Sequence, residues 1–372
     1  MAPRGSSRPD GWDGSVEWRS CLRLGLLGFA FSLGLVLLAV AATPDPPPNA
    51  TEGGYTTPYT PPRDRFEVML NHADGQAYAT LAQDPTLARP NAFVGGPASA
   101  ANFGARPVLP YLLYAGSLGR AAWIPFPFVL IQGLAGGIVV AGAAAVLHAA
   151  GRRSEERLAL AVLLLPGAQL GIVLLGQDLL GLGLTLLGLV LFVGRRSSPL
   201  LAAMVLTVAG LTRETMLIAV AVALLHEWWR RGPRRRDGWM ALPFVAYAGW
   251  NQFSAHRFGA TSGAGVANNL AWPFTGIAQD VGRWSTIGLV VVVTLLAFVV
   301  VSLIWRTDEL LTWLVAAYLA ATTISAEPVW RTWQSGVRVS LPLAAFALLN
   351  VRLPPRLLAI VRRSGIERIP VA

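Results

Sequence analysis

The sequence predicts an all-α fold, a polytopic transmembrane helical bundle of about ten spans. Three observations carry this. First, 54% of the 372 residues are hydrophobic and 13% are charged, where a soluble chain carries about a quarter charged. Second, the apolar residues fall in long unbroken runs, the signature of membrane spans. Third, the charges between the runs are sorted by sign. This composition excludes an ordinary soluble enzyme, and the apolar fraction is too high for a disordered chain. Cys21 is the single cysteine, which excludes an internal disulfide framework, a Cys-based zinc site and an iron–sulfur cluster.

Ten apolar segments stand out, at 22–43, 125–149, 158–175, 179–194, 199–211, 216–229, 239–255, 286–305, 310–326 and 339–351. Helices are expected because lipid cannot satisfy open backbone groups. With the N-terminus in the cytoplasm, 20 of the 30 basic residues, all of them Arg, fall on inner pieces. The outer pieces hold 10 Arg and 10 acidic residues. The whole +10 excess therefore lies inside, as the positive-inside rule requires. That distribution speaks for membrane orientation and against a nucleic-acid partner. The basic cluster 230–236 is read as a topology anchor. The resulting organisation is a cytoplasmic tail at 1–21, a membrane domain at 22–351 and a basic cytoplasmic tail at 352–372. Both termini are expected in the cytoplasm of a multi-pass cell-membrane protein. Segment 22–43 ends on Ala39-Val40-Ala41-Ala42, which imitates a signal cleavage site, but the run and its leader are long for a signal peptide. A retained first span is expected.

Two outer loops dominate, 44–124 and 256–285. Pro44 to Pro62 is rich in Pro, Thr and Gly and reads as an extended tether. The stretch 106–118 is apolar but short, and crossing there would invert the Arg count. A helix lying on or dipping into the outer face is expected. Segments 199–211 and 216–229 must form a short hairpin, because Arg195 and Arg196 precede it and Arg230 to Arg236 follow it. One continuous helix would put these basic ends on opposite sides. Thirteen helical residues reach about 20 Å, against about 30 Å of hydrocarbon. The tip Thr212-Arg213-Glu214-Thr215 should therefore sit in a recess. Ionisable groups at that depth face a wet cavity or a partner. Two readings follow: a local Arg213–Glu214 pair that closes the turn, or an anion site in which Arg213 faces a phosphate.

Residues 72–85 read as a short helix stopped by Pro85, with Asp74 as a plausible N-cap. Asp74 either caps only or does chemistry. His72 beside Asp74 makes weak evidence for a metal. No Gly-rich phosphate cradle, zinc motif or nucleophile elbow is found.

These pieces taken in order resemble a known group. Asp74-Gly75-Gln76-x-Tyr78 is followed by Gln83-Asp84-Pro85, by Arg106-Pro107-Val108-Leu109-Pro110-Tyr111-Leu112-Leu113 and by Leu211-Thr212-Arg213-Glu214-Thr215. Asn269-Leu270-x-x-Pro273-Phe274 and Arg338 ahead of Leu341-Pro342-Leu343 follow later. The whole is similar to bacterial multi-pass glycosyltransferases of the GT-C type, which are linked to cell-surface glycopolymer formation. The likeness covers roughly 70–350. Ala73 and Ala77 stand where that group usually has aromatic residues.

The resemblance implies a polyprenyl-phosphate sugar donor, a cell-envelope glycan or lipid acceptor, and reaction on the outer face. It implies Asp74 as the base, Arg213 and Arg338 as phosphate ligands with Arg106 in support, Gln76 and Tyr78 on sugar or acceptor, and Glu214 orienting Arg213. Membrane lipids are the other expected partners. No cofactor is required, and a divalent metal between Asp74 and the phosphate is compatible with the pattern. Physical demand agrees with these residue types. A hydroxyl acceptor needs a carboxylate base, and a departing phosphate needs fixed cations, for which the planar fork of Arg is suited. Two other classes share buried charges: a transporter or flippase of lipid-linked sugars, and a non-catalytic envelope-assembly protein.

Overall fold

Where the sequence runs apolar and uncharged, the chain is helical. The computed structural model describes residues 12, 14–46, 62–71, 73–86, 88, 101–194, 198–258 and 270–352. The tether 47–61, His72, Asn269 and the tail 353–372 lie outside the described residues. Among the described residues there is no strand, only two isolated β-bridges. The fold is all-α.

The long elements are α1 (Trp18–Ala42) and α5 (Pro125–Ala149). Between them lie α2 (Arg65–Leu70), α3 (Ala73–Gln83) and α4 (Val108–Ser117). After α5 come α6 (Pro166–Val173), α7 (Asp178–Val193), α8 (Pro199–Thr212), α9 (Leu217–Arg231) and α10 (Leu242–Phe258). The last group is α11 (Thr275–Asp280), α12 (Thr286–Ile304), α13 (Glu309–Thr323), α14 (Glu327–Trp330), α15 (Trp333–Val339) and α16 (Leu341–Asn350). Proline opens α5, α6 and α8 at the first helical position, where its missing N–H costs nothing. Asp308 starts α13 by accepting from the Leu311 amide at 2.9 Å.

Three helices are long and apolar enough to cross a membrane: Trp18–Ala42, Ala121–Ala149 and Thr286–Ile304. A fourth arises if Arg153–Leu164 and Pro166–Val173 count as one span. Helices α7, α8, α13 and α16 are apolar but shorter. The segment expected as one helix at 158–175 is in fact a 3-10 run followed by α6, bent by 55°. Pro166 is the cause. It cannot donate to the preceding turn, and it forces Leu165 into an extended conformation, seen at ψ 134°. Large apolar side chains face outward on the long helices, among them Leu22, Leu26, Leu38, Ile287, Val290 and Ile304. Such an exterior suits lipid, and the chain is a membrane-associated helical protein.

Helices α1 and α5 pack closely because small residues face each other. A Cβ on Gly28 would come within 2.7 Å of the Val140 side chain and 2.8 Å of the Gly136 carbonyl. This is the close backbone approach that membrane helices reach through small residues.

The bundle has two polar ends. At the base, Trp12 Nε1 donates to Asp308 at 3.0 Å, the Gly14 amide donates to the Ala149 carbonyl, and His148 meets Glu156 at 2.6 Å. Residues 12 and 14–17 are thus partly packed. Arg152 ties the same end together through Glu155, Thr307 and the Leu349 and Val351 carbonyls. At the head, α2, α3 and α4 fold over the bundle. The short helix expected at 106–118 is α4, about 15 Å long at 1.5 Å per residue. It buries Leu109 and Leu113 and exposes Tyr111, Leu112 and Tyr114. Arg65 clamps the start of the head to the end of α1, reaching Asp45 at 2.7 Å and the Ala41 carbonyl at 2.9 Å.

Candidate functional site

The site forms where three helix interruptions meet at the head. The first is the start of α3. Asp74 lies in its first turn, not at its cap, because the helix already begins at Ala73. Tyr78 follows one turn later on the same face, at the i,i+4 spacing. Gly75 lets α3 sit down on the bundle: a Cβ there would lie 3.3 Å from Leu70 Cδ2 and 3.5 Å from Leu175 Cδ1.

The second interruption is 174–177, between α6 and α7. Leu175 takes a left-handed backbone at φ 54°, a strain of about 1–2 kcal/mol for a residue with a Cβ. Gln132 steadies the break by donating to the Gly176 carbonyl at 2.9 Å. The break delivers Asp178 to the first turn of α7, where the free backbone N–H groups favour a carboxylate.

The third is the hairpin tip. Helix α8 ends at Thr212, Arg213 is extended (φ −152°, ψ 123°), and Glu214–Met216 forms one 3-10 turn before α9. The buried Tyr318 donates to the Thr215 carbonyl at 2.9 Å and fixes the tip. Both arms return to the base side, where Arg231 meets Asp237 at 3.0 Å in the connection to α10. The hairpin reading therefore holds over that of one continuous helix.

Six charges converge there. Arg338, in the last turn of α15, reaches Asp74 at 2.7 Å and Asp178 at 3.4 Å. Arg213 reaches the other Asp178 oxygen at 2.8 Å. Arg106, at the entry to α4, binds Glu214 with two hydrogen bonds of 2.7 and 2.8 Å. Three guanidinium groups face three carboxylates, so the cluster is formally neutral. Burial alone would lower the Arg106 guanidinium, yet the charge and hydrogen bonds of Glu214 hold it well above its ordinary value. Tyr78 is fully buried, its ring packed edge-on against Phe103 at 5.6 Å. Burial pushes its phenol up, with Arg106, Asp74, Arg213 and Asp178 all in electrostatic range.

Of the expected site residues, Asp74, Tyr78, Arg106, Arg213, Glu214 and Arg338 come together. Gln76 does not join the charge network. It sits two residues from Asp74 on a helix, hence on another face, and its buried Oε1 has no protein partner. One expected role is corrected. Glu214 does not orient Arg213 by direct contact, because Arg106 takes its carboxylate. Asp178 holds Arg213 instead. Asp178 is the residue sequence reasoning missed. It was readable as the only acid between Glu156 and Glu214, and a lone carboxylate in an apolar run is a functional signal. Asn269 and His72 lie outside the described residues, so the His72–Asp74 pair has no structural account.

The Arg338 guanidinium lies against both Asp74 and Asp178, the carboxylates a divalent metal would use. Among the described residues, no group of three or more His, Cys, Asp or Glu is arranged to hold one.

An apolar cavity of about 350 Å³ is bounded by Pro166, Val290, Leu295, Phe298, Val337 and Leu348. Val337 immediately precedes Arg338. The cavity runs between α6, α12 and α16, with Val337 of α15 on its wall.

Compared with family models, with curated proteins and with solved structures, the chain gives no match in any of the three.

Proposed function

We propose that the protein is a GT-C-type glycosyltransferase with ten membrane spans and cytoplasmic termini. It transfers a sugar from a polyprenyl-phosphate donor to a cell-envelope glycan or lipid acceptor on the outer face. The observation that carries this reading is the meeting of one carboxylate, Asp74, with Arg338 and Arg213 through the shared Asp178.

In this reading Asp74 takes the proton of the acceptor hydroxyl. The acceptor oxygen forms a bond to the anomeric carbon while the bond from that carbon to the phosphate oxygen breaks. The phosphate leaves with the electron pair, and Arg213 and Arg338 stabilise it. Removing cations from carboxylates toward a phosphate is an exchange of like for like, so it costs little net charge separation. It also frees Asp74 from its guanidinium partner at the moment it must accept a proton, which raises its basicity. Arg106 is held by Glu214 and supports the site from the side of α4. In the same reading Gln76 and Tyr78 contact sugar or acceptor. The apolar cavity that Val337 borders supplies a bed for the isoprenoid chain.

The test is sugar transfer by Asp74→Asn, reconstituted with a polyprenyl-phosphate sugar. General-base loss predicts a fall of about 10² to 10⁴ in rate. A stably inserted Asp74→Asn protein transferring at the native rate would remove Asp74 from the mechanism. Measuring product and translocated lipid in the same vesicles separates transfer from flipping.

A further inference from the structure

The turn between α9 and α10, at the base and far from the charge cluster, is more than a string of arginines. It reads Trp228-Trp229-Arg230-Arg231-Gly232-Pro233-Arg234-Arg235-Arg236-Asp237-Gly238-Trp239-Met240. Gly232 makes the turn possible at φ 73°, a backbone that side-chain-bearing residues avoid. Asp237 then ties the turn into a knot. Its carboxylate accepts from Trp228 Nε1 at 3.2 Å, from the Arg234 amide at 3.0 Å and from Arg231 at 3.0 Å. Arg231 also binds Glu227. Both acids are buried, Asp237 at 2% and Glu227 at 6% exposure.

The knot has a consequence for charge. Arg231, and Arg230 at 3.9 Å from Glu227, balance the two acids, so Arg234 and Arg235, which follow, keep their positive charge unmatched within the turn. Arg234 and Arg235 are left exposed. Beside them Trp229 is 77% exposed and Trp239 is 51% exposed. A topology signal needs only positive charge and no folded turn. Indoles settle at the headgroup level of a bilayer, and basic clusters just beyond a membrane helix attract anionic lipid.

We propose that this turn is a binding site for the phosphate headgroup of an anionic phospholipid, held by Arg234 and Arg235 with Trp229 and Trp239 seated at the membrane interface. The proposal does not depend on the glycosyltransferase reading.

The experiment is thermal unfolding of the full chain in a neutral detergent, with phosphatidylglycerol or phosphatidylcholine of matched acyl chains. Phosphatidylglycerol should raise the midpoint by several degrees and phosphatidylcholine should not, and the shift should shrink as salt screens the headgroup. R234Q/R235Q should lose at least half of the phosphatidylglycerol shift while its lipid-free midpoint stays native, because both side chains are exposed. W229A/W239A, which leaves every arginine in place, should also reduce it. The proposal is overturned if both lipids shift the midpoint equally, if R234Q/R235Q and W229A/W239A keep the full shift, or if inorganic phosphate alone reproduces it.

Discussion

Asp178→Asn is the most informative single change in this protein. It removes one negative charge and keeps the shape. Asp178 is 2% exposed and Arg213 is 5% exposed. Their contact is 2.8 Å, and the second contact, to Arg338, is 3.4 Å. At an effective dielectric of about 20, each such contact is worth roughly 5 kcal/mol before desolvation is counted. Removing the carboxylate recovers its own desolvation cost, and what remains is the penalty for a buried unpaired cation, about 3–5 kcal/mol. Asp74→Asn should cost less, about 1–2 kcal/mol, because Asp74 is 17% exposed at its side chain and touches Arg338 only. The assay is chemical unfolding in detergent of wild type, D178N, R213Q and D178N/R213Q. The double variant should be more stable than the sum of the single losses, since it deletes the orphaned cation with its partner. If D178N unfolds within about 0.5 kcal/mol of wild type, as a surface substitution would, the buried bridge between Arg213 and Arg338 does not organise this site.

Three further outcomes are expected. Tyr78→Phe should leave stability unchanged within about 0.5 kcal/mol, because the buried hydroxyl has no protein partner; a drop in transfer without a drop in unfolding midpoint would place that hydroxyl on a ligand. R106Q and E214Q should each destabilise by about 1–3 kcal/mol, and R106Q/E214Q by less than their sum, because the pair makes two charge-assisted hydrogen bonds; additive losses in unfolding would show the pair uncoupled. In a C21S background, a cysteine at Thr215 should react with an impermeant reagent added outside, and one at Gly238 only after the inner face is exposed; the reverse labelling would invert the proposed topology.

Much of the fold was legible in the sequence. Long apolar runs must become helices, since only a helix closes its own backbone hydrogen bonds in lipid. All ten apolar segments contain helix, and the stretch 106–118 contains the short helix α4. The break at Pro166 was also written in the chain, although 158–175 was expected to run straight. The site was legible in part. Asp74, Arg106, Arg213, Glu214 and Arg338 are ionisable groups beside apolar runs, and such groups stand out because they are costly there.

The sequence determined which segments are helical, which loops are basic and which charged side chains had to find company. Tertiary structure decided who pairs with whom. Glu214 follows Arg213 directly, yet it faces Arg106, 108 positions away, because the extended backbone at Arg213 turns successive side chains to different sides. Asp178 acquires its importance only once α7 and α15 pack, since an ion pair depends on distance in space, and separation along the chain says little about it.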